Sequence, residues 1–292
     1  MTKIQTFIKS VFTVIHVVSI LFGSDLSAQT SSQQNKVSGY APVNGLKMYY
    51  EIHGNGNPLI LLHGSYQNIN ITWGAMIPEL SKSRKVIAIE MQGHGRTNDT
   101  KREFSYDSLA NDLTVLMQYL KIDSADILGY SLGGTVAYKF AINNPKMVKK
   151  LIIISATYKT LGWQKEARNV FDMMKPEFLT NTPLKPQYDL LAPDKSNWSA
   201  FVSKLITLNR TEFDFGDNAI ASIKSPVLLI AGDNDGLNKT VLMETYKLLG
   251  GCIFGDISGL PASQLSILPS TSHSSILMNS TGINSLVSNF LK

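Results

Sequence analysis

The pattern of apolar and polar positions predicts alternating strands and helices along most of the chain. Short apolar runs, typical of buried strands, recur at 47–53, 59–63, 85–90, 126–130, 150–155, 227–231 and 265–268. The clearest helix is predicted at 106–120, where leucines three or four residues apart mark one buried face. This alternation predicts an α/β protein with a mostly parallel sheet flanked by helices.

A Gly-x-Ser-x-Gly sequence follows the predicted strand at 126–130. A serine in a sharp turn between a strand and a helix has an exposed hydroxyl and can act as a nucleophile. Gly129 and Gly133 have no Cβ, so the strand and the helix can pack closely around Ser131, and a larger residue at either position would clash. The motif by itself also fits an ordinary turn between a strand and a helix.

Candidate partners for Ser131 follow two later strands. Asp233 and Asp235 come just after the strand at 227–231, and His273 comes just after the strand at 265–268. The carboxyl ends of parallel strands meet at one edge of a sheet, so these side chains are expected to lie near Ser131. We predict Ser131 as nucleophile, His273 as base and Asp235 as acid, with Asp233 as the alternative acid.

With these motifs in the order Ser, Asp, His, the chain from about Gly45 to its end resembles the α/β-hydrolase superfamily. The resemblance also rests on the sequences LLHGS at 61–65 and QGHGRT at 92–97. It implies an α/β-hydrolase fold in which the backbone N–H groups of Ser65 and Leu132 form an oxyanion hole. Segments 84–97 and 130–145 look most similar to small esterases, enol-lactonases and C–C bond hydrolases.

The spacing of the elements predicts the domain organisation. The hydrolase core is expected at 45–157 and 221–292, with a helical lid at 158–220, because that insertion is too long for a simple crossover helix. The polar segment 29–44 is predicted to be a flexible lead-in. The glycine-rich segment 250–259 is predicted to be an irregular loop near the rim of the active site.

The first 28 residues have the pattern of a signal peptide. Lys3 and Lys9 precede an apolar run at 11–22 that is too short to span a bilayer comfortably. Cleavage after Ala28 would yield a secreted or periplasmic protein without stable membrane association, and an uncleaved anchor is the alternative. Mass spectrometry of the mature chain would detect an N-terminus near Gln29, whereas an intact N-terminus on a cytoplasmic protein would refute export.

Composition narrows the possible partners. The chain has 292 residues, 43% hydrophobic and 17% charged, which is typical of a globular protein. Its net charge of +5 comes from scattered basic residues, so nucleic acid is not expected as a partner. The single cysteine, Cys252, excludes an internal disulfide. Neither metal-ligand spacing nor a nucleotide-binding glycine pattern occurs, so no cofactor and no metal are expected, and the oligomeric state is left open.

These observations predict an exported serine hydrolase that cleaves small or medium carboxylic esters through an acyl-enzyme. A lactonase or C–C bond hydrolase using the same triad is an alternative, and so is a catalytically silent binding protein on the same fold. The serine nucleophile argues against an epoxide hydrolase or a dehalogenase. Because the chain lacks a basic cluster, neutral substrates are favoured over anionic ones.

Overall fold

The computed structural model describes residues 36–292 of the chain. The predicted signal peptide and the first part of the predicted lead-in, up to residue 35, lie outside this range. Within it, eight strands form one sheet: β1 Lys36–Val43, β2 Leu46–His53, β3 Asn57–Leu62, β4 Arg84–Ile89, β5 Ala125–Tyr130, β6 Val148–Ile154, β7 Val227–Asn234 and β8 Gln264–Ser272. Their order across the sheet is β1-β2-β4-β3-β5-β6-β7-β8.

Helices cover the sheet and fill the long insertion before β7. Those of the core are α1 Ile69–Trp73, α2 Ile77–Leu80, α3 Tyr106–Tyr119 and α4 Leu132–Asn143. Those of the insertion are α5 Lys165–Met173, α6 Pro176–Thr180, α7 Leu184–Leu191, α8 Trp198–Arg210 and α9 Asp217–Ala221. The chain ends with α10 Lys239–Leu248, α11 Gly255–Ser258 and α12 Ser280–Phe290.

The sheet is mostly parallel and buried on both faces. β4, β3, β5, β6, β7 and β8 pair in parallel, whereas β2 pairs antiparallel with both β1 and β4. Successive side chains of a strand point to opposite faces, so Leu59 and Leu61 pack on the side of α1, α2 and α12, and Ile60 and Leu62 pack on the side of α3 and α4. The predicted α/β-hydrolase fold class is confirmed.

The predicted flexible lead-in is wrong for residues 36–43, which form β1. Each of these residues is paired with one of β2, from Lys36 opposite His53 to Val43 opposite Leu46. The turn between the strands is Asn44-Gly45, and both residues have positive φ, as a two-residue hairpin turn requires. Antiparallel pairing and the burial of alternate side chains stabilise a segment that is too polar to look like a strand by itself.

The glycine-rich segment 250–259 does not lie at the active-site rim as predicted. It precedes β8, whose first residue Gln264 pairs with Leu228 near the start of β7. Ser263 is fixed there by a hydrogen bond from the N–H of Val227 at 3.2 Å. The segment therefore lies at the amino edge of the sheet, because α10 carries the chain back across one face. No helix within residues 36–292 combines the length and the apolar character needed to cross a membrane.

A buried carboxylate links β1 and β2 electrostatically. Glu51 accepts hydrogen bonds from Tyr49 and His53, each at 2.9 Å, and pairs with Lys36 at 2.9 Å. Burial alone would raise the pKa of Glu51, but its bonds to His53, Lys36 and Tyr49 lower that pKa to about 2. The ionised carboxylate is therefore bound more favourably in the folded chain than in the unfolded one.

We expect Glu51→Gln to lower the free energy of unfolding by about 1–3 kcal/mol at pH 7. A depressed folded pKa contributes stability above the ordinary value of 4.5, and that contribution is lost as the pH falls through about 2. The difference between the two proteins should therefore shrink over this range in urea unfolding. Glu79→Gln is the control, because Glu79 and its partner Lys82 are both more than half exposed. Equal effects of the two substitutions would contradict the assignment.

Candidate active site

Ser131 stands in a strained turn between β5 and α4. Its φ is +52°, a left-handed conformation that is uncommon for a residue other than glycine. A Cβ on Gly129 would lie 2.3 Å from the carbonyl oxygen of Gly133, and one on Gly133 would lie 2.1 Å from that of Leu62. Both glycines are thus required by close backbone packing, as the motif predicts, and the serine is presented at the carboxyl edge of the sheet.

The structure brings three residues from distant parts of the chain into one hydrogen-bonded series. Ser131 Oγ lies 3.0 Å from His273 Nε2, and His273 Nδ1 lies 2.9 Å from Asp235 Oδ1. Ser131 follows β5, Asp235 follows β7 and His273 follows β8, so each occupies the carboxyl end of a strand. The side chain of Asp235 is fully buried, whereas that of His273 is 32% exposed. The imidazole can therefore reach both the serine and a molecule bound above it.

The alternative acid, Asp233, is engaged elsewhere. Its exposed carboxylate accepts hydrogen bonds from the N–H groups of Ser270 at 2.8 Å and Thr271 at 2.9 Å. These bonds join the end of β7 to the end of β8 and lower the pKa of Asp233. Geometry therefore places Asp235, and not Asp233, against the imidazole of His273.

The surroundings of Asp235 favour its ionised form. Burial alone would raise the pKa of this carboxyl, but the charge and hydrogen bond of His273 hold it below its usual range. The Ser155 hydroxyl and the ammonium of Lys239 lower it further. Ser155 follows β6 with a φ of +52°, a second left-handed residue at this edge. An ionised carboxylate here orients the imidazole and stabilises its protonated form.

Aromatic side chains hold His273 from two sides. The Tyr130 ring stacks on it with centroids 5.4 Å apart, and the Tyr130 hydroxyl donates to the backbone carbonyl of His273 at 2.8 Å. From the insertion, the Trp163 ring makes a T-shaped contact with the imidazole at a centroid distance of 5.5 Å. Neither contact is predicted from the sequence. Tyr130 lies within the serine motif and could have been noted, but the contact of Trp163 depends on how the insertion docks.

The backbone N–H groups predicted to form an oxyanion hole lie on adjacent loops. The N–H of Gly133 donates to the carbonyl of His63 at 3.1 Å, which holds the loop containing Ser65 against the first turn of α4, where Leu132 lies. Within residues 36–292, neither the Ser65 N–H nor the Leu132 N–H donates a hydrogen bond. Both are thus available to a carbonyl oxygen near Ser131.

Two buried histidines support this loop. His63 Nδ1 lies 2.8 Å from the Gly64 carbonyl, and His63 Nε2 accepts from the N–H of Met91 at 3.1 Å, so the proton is on Nδ1. Burial lowers the pKa of His63 to about 4, and burial also lowers that of His94, whose ring lies 4.7 Å away. Both rings are therefore neutral hydrogen-bonding residues that connect the ends of β3 and β4.

A cleft of about 500 Å³ opens beside the loop after β4, apart from the triad. Its walls include Asp99 and Lys204, which pair at 2.9 Å, and Tyr188 of α7. None of the three triad residues lines it. Within residues 36–292, no three histidine, cysteine, aspartate or glutamate side chains are grouped as a metal ion would require.

Known proteins resemble this chain in sequence and in fold. A family model described as the alpha/beta hydrolase fold matches residues 57–205, about half of the chain. The chain belongs to the α/β-hydrolase family. This α/β-hydrolase family member spans only 34% of the length of the first curated relatives it matches. A soluble epoxide hydrolase from Corynebacterium is 35% identical over 114 residues, which are 39% of this chain and 40% of that protein.

Solved structures share the fold of this chain over most of its length. A meta-cleavage product hydrolase from Pseudomonas fluorescens has a TM-score of 0.65 at 22% identity, with 87% of this chain and 97% of that chain covered. Naproxen esterase from Bacillus subtilis has a TM-score of 0.67 at 16% identity, with 96% of both chains covered. At these identities the similarity establishes the fold alone.

Proposed function

We propose that this hydrolase cleaves small or medium carboxylic esters by way of an acyl-enzyme. The observation that carries the proposal is the continuous hydrogen-bonded series from Ser131 Oγ through the imidazole of His273 to the carboxylate of Asp235. A serine hydroxyl is a weak nucleophile at neutral pH, and a base within hydrogen-bonding distance activates it. On the pattern of its first 28 residues, we further propose that the enzyme is exported.

In the proposed reaction, Ser131 Oγ attacks the ester carbonyl while His273 Nε2 takes the hydroxyl proton. The carbonyl oxygen becomes negative and is stabilised by the N–H groups of Ser65 and Leu132. The tetrahedral intermediate then collapses, His273 returns its proton to the departing alkoxide, and an acyl group remains on the serine. Water attacks this acyl-enzyme with His273 again as base, which releases the acid and regenerates Ser131.

A lactonase or C–C bond hydrolase with the same triad is the second candidate, because the meta-cleavage product hydrolase shares this fold over most of both chains. The relative named an epoxide hydrolase is a weaker guide, since it is matched over only 39% of this chain and the nucleophile here is a serine.

A panel of substrates distinguishes these chemistries. We expect measurable turnover of short p-nitrophenyl esters, falling for long acyl chains as they outgrow the space between core and insertion. The measurement is kcat/KM for esters, lactones and activated C–C substrates in parallel. A higher kcat/KM on a lactone or a dienone acid than on every ester would refute the esterase proposal. Failure of a fluorophosphonate probe to label Ser131 would instead favour a silent binding protein.

A further inference from the structure

Within residues 36–292, one arginine has no partner for its guanidinium. The sequence contains five arginines, and all lie within residues 36–292. Four are bound to acceptors: Arg84 to Asp126, Arg96 to Glu90, Arg102 to Asp112, and Arg210 to the carbonyls of Phe171, Asp172 and Met174. The fifth, Arg168, makes no side-chain hydrogen bond or ion pair with a described residue, although its Nε is buried.

Arg168 shares one side of α5 with two residues that connect the helix to the surroundings of the triad. Residues three and four apart share one side of a helix, so Arg168 lies on the same side as Gln164 and Phe171. The Gln164 amide donates to the backbone carbonyl of Asp235 at 2.9 Å. The Phe171 ring packs on Trp163 at a centroid distance of 5.6 Å, and Trp163 in turn contacts His273.

Burying the N–H of a charged group without a hydrogen-bond acceptor destabilises the folded protein. The buried Nε of Arg168 therefore points to an acceptor that is supplied by a ligand. A guanidinium presents a planar fork of donors that matches a carboxylate with two parallel hydrogen bonds. As Arg168 is one cation, it suits a group with a single negative charge.

We propose that Arg168 forms a subsite for a carboxylate on the substrate, so that the preferred esters are half-esters of short dicarboxylic acids. This inference rests on the proposed ester hydrolysis and specifies its substrate class. It revises the expectation of neutral substrates, because that expectation rested only on the lack of a cluster of basic residues in the sequence. The scissile carbonyl would lie at Ser131, and the free carboxylate would bind Arg168 beneath α5.

The test compares two substrates of equal acyl length, p-nitrophenyl hydrogen glutarate and its methyl ester. The wild-type enzyme should prefer the acid in kcat/KM, and Arg168→Gln should reduce the ratio of acid to methyl ester by about tenfold to a hundredfold. Arg168→Lys should restore part of the ratio, because it keeps the charge but loses the fork. Lys165→Gln, which removes an exposed cation from the same helix, should leave the ratio within about twofold.

An unchanged ratio in Arg168→Gln, or an equal change in Lys165→Gln, would overturn the subsite. So would a matching loss in Asp172→Asn, because Asp172 lies one turn from Arg168 and that result would indicate a structural pair. A second readout is independent of turnover. Glutarate should raise the melting temperature of the Ser131→Ala protein but not of Ser131→Ala with Arg168→Gln. If glutarate raises the melting temperature in this way but the wild-type enzyme hydrolyses no ester, the proposed function alone is refuted. If the wild-type enzyme hydrolyses esters but glutarate does not raise the melting temperature, the subsite alone is refuted.

Discussion

Ser131→Ala is expected to reduce ester hydrolysis by at least about a thousandfold while leaving the fold intact. The substitution removes the oxygen proposed to form the acyl-enzyme, and His273 then has no Ser131 hydroxyl from which to accept a proton. Folding should be preserved because alanine replaces only the hydroxyl and keeps a Cβ in the same left-handed turn. The measurement is kcat/KM on a short p-nitrophenyl ester, with melting temperature and circular dichroism to check the fold.

Another nucleophile would be indicated if the variant kept more than about a thousandth of the wild-type kcat/KM. Active-site titration must first show that this turnover does not come from contaminating wild-type enzyme. Mass spectrometry provides a separate check. A fluorophosphonate should add to the wild-type chain at Ser131 and fail to add to the variant. Labelling at a different serine would refute the assignment even if activity were lost.

Asp235→Asn is expected to lower kcat by about a thousandfold to ten-thousandfold. The amide keeps the shape of the side chain but removes the negative charge that faces His273 Nδ1 at 2.9 Å. The imidazole then loses the partner that sets its tautomer and stabilises its protonated form. The measurement is kcat on the same ester across a range of pH.

Asp233→Asn is the matched control, two residues away at the end of β7. Its carboxylate binds the N–H groups of Ser270 and Thr271, so this substitution should lower stability modestly and kcat by less than about tenfold. If Asp233→Asn proved the more damaging to kcat, the acid would be misassigned and the hydrogen-bond geometry would not describe the active form.

The fold class could be predicted from the sequence because its signals are local. Apolar runs and leucines at helical spacing depend only on neighbouring residues, and they correctly indicated every strand from β2 to β8 and the helix α3. β1 was missed because Lys36–Val43 is half polar and becomes a strand only by pairing with β2. The Asn44-Gly45 turn was a local signal for this hairpin and could have revealed it.

Parts of the candidate site could likewise be predicted from the sequence, whereas other parts required the tertiary structure. Some features of the site can be recognised from the sequence because they depend on short segments. These are the glycines around Ser131 and the positions of Asp235 and His273 after apolar runs. Only the tertiary structure could separate Asp235 from Asp233, because two carboxylates two residues apart at a strand end differ chiefly in which partner the fold brings to them. The location of 250–259 at the opposite edge likewise follows from the path of α10.

The sequence by itself therefore indicated the family, the strands from β2 to β8 and the residues proposed for catalysis. The tertiary structure decided the contacts of Trp163 with His273, of Gln164 with the loop at Asp235, and the absence of any described partner for Arg168. These depend on how the insertion between β6 and β7 docks on the core. That docking is a sum of weak contacts between residues far apart in the chain, and no local pattern encodes it.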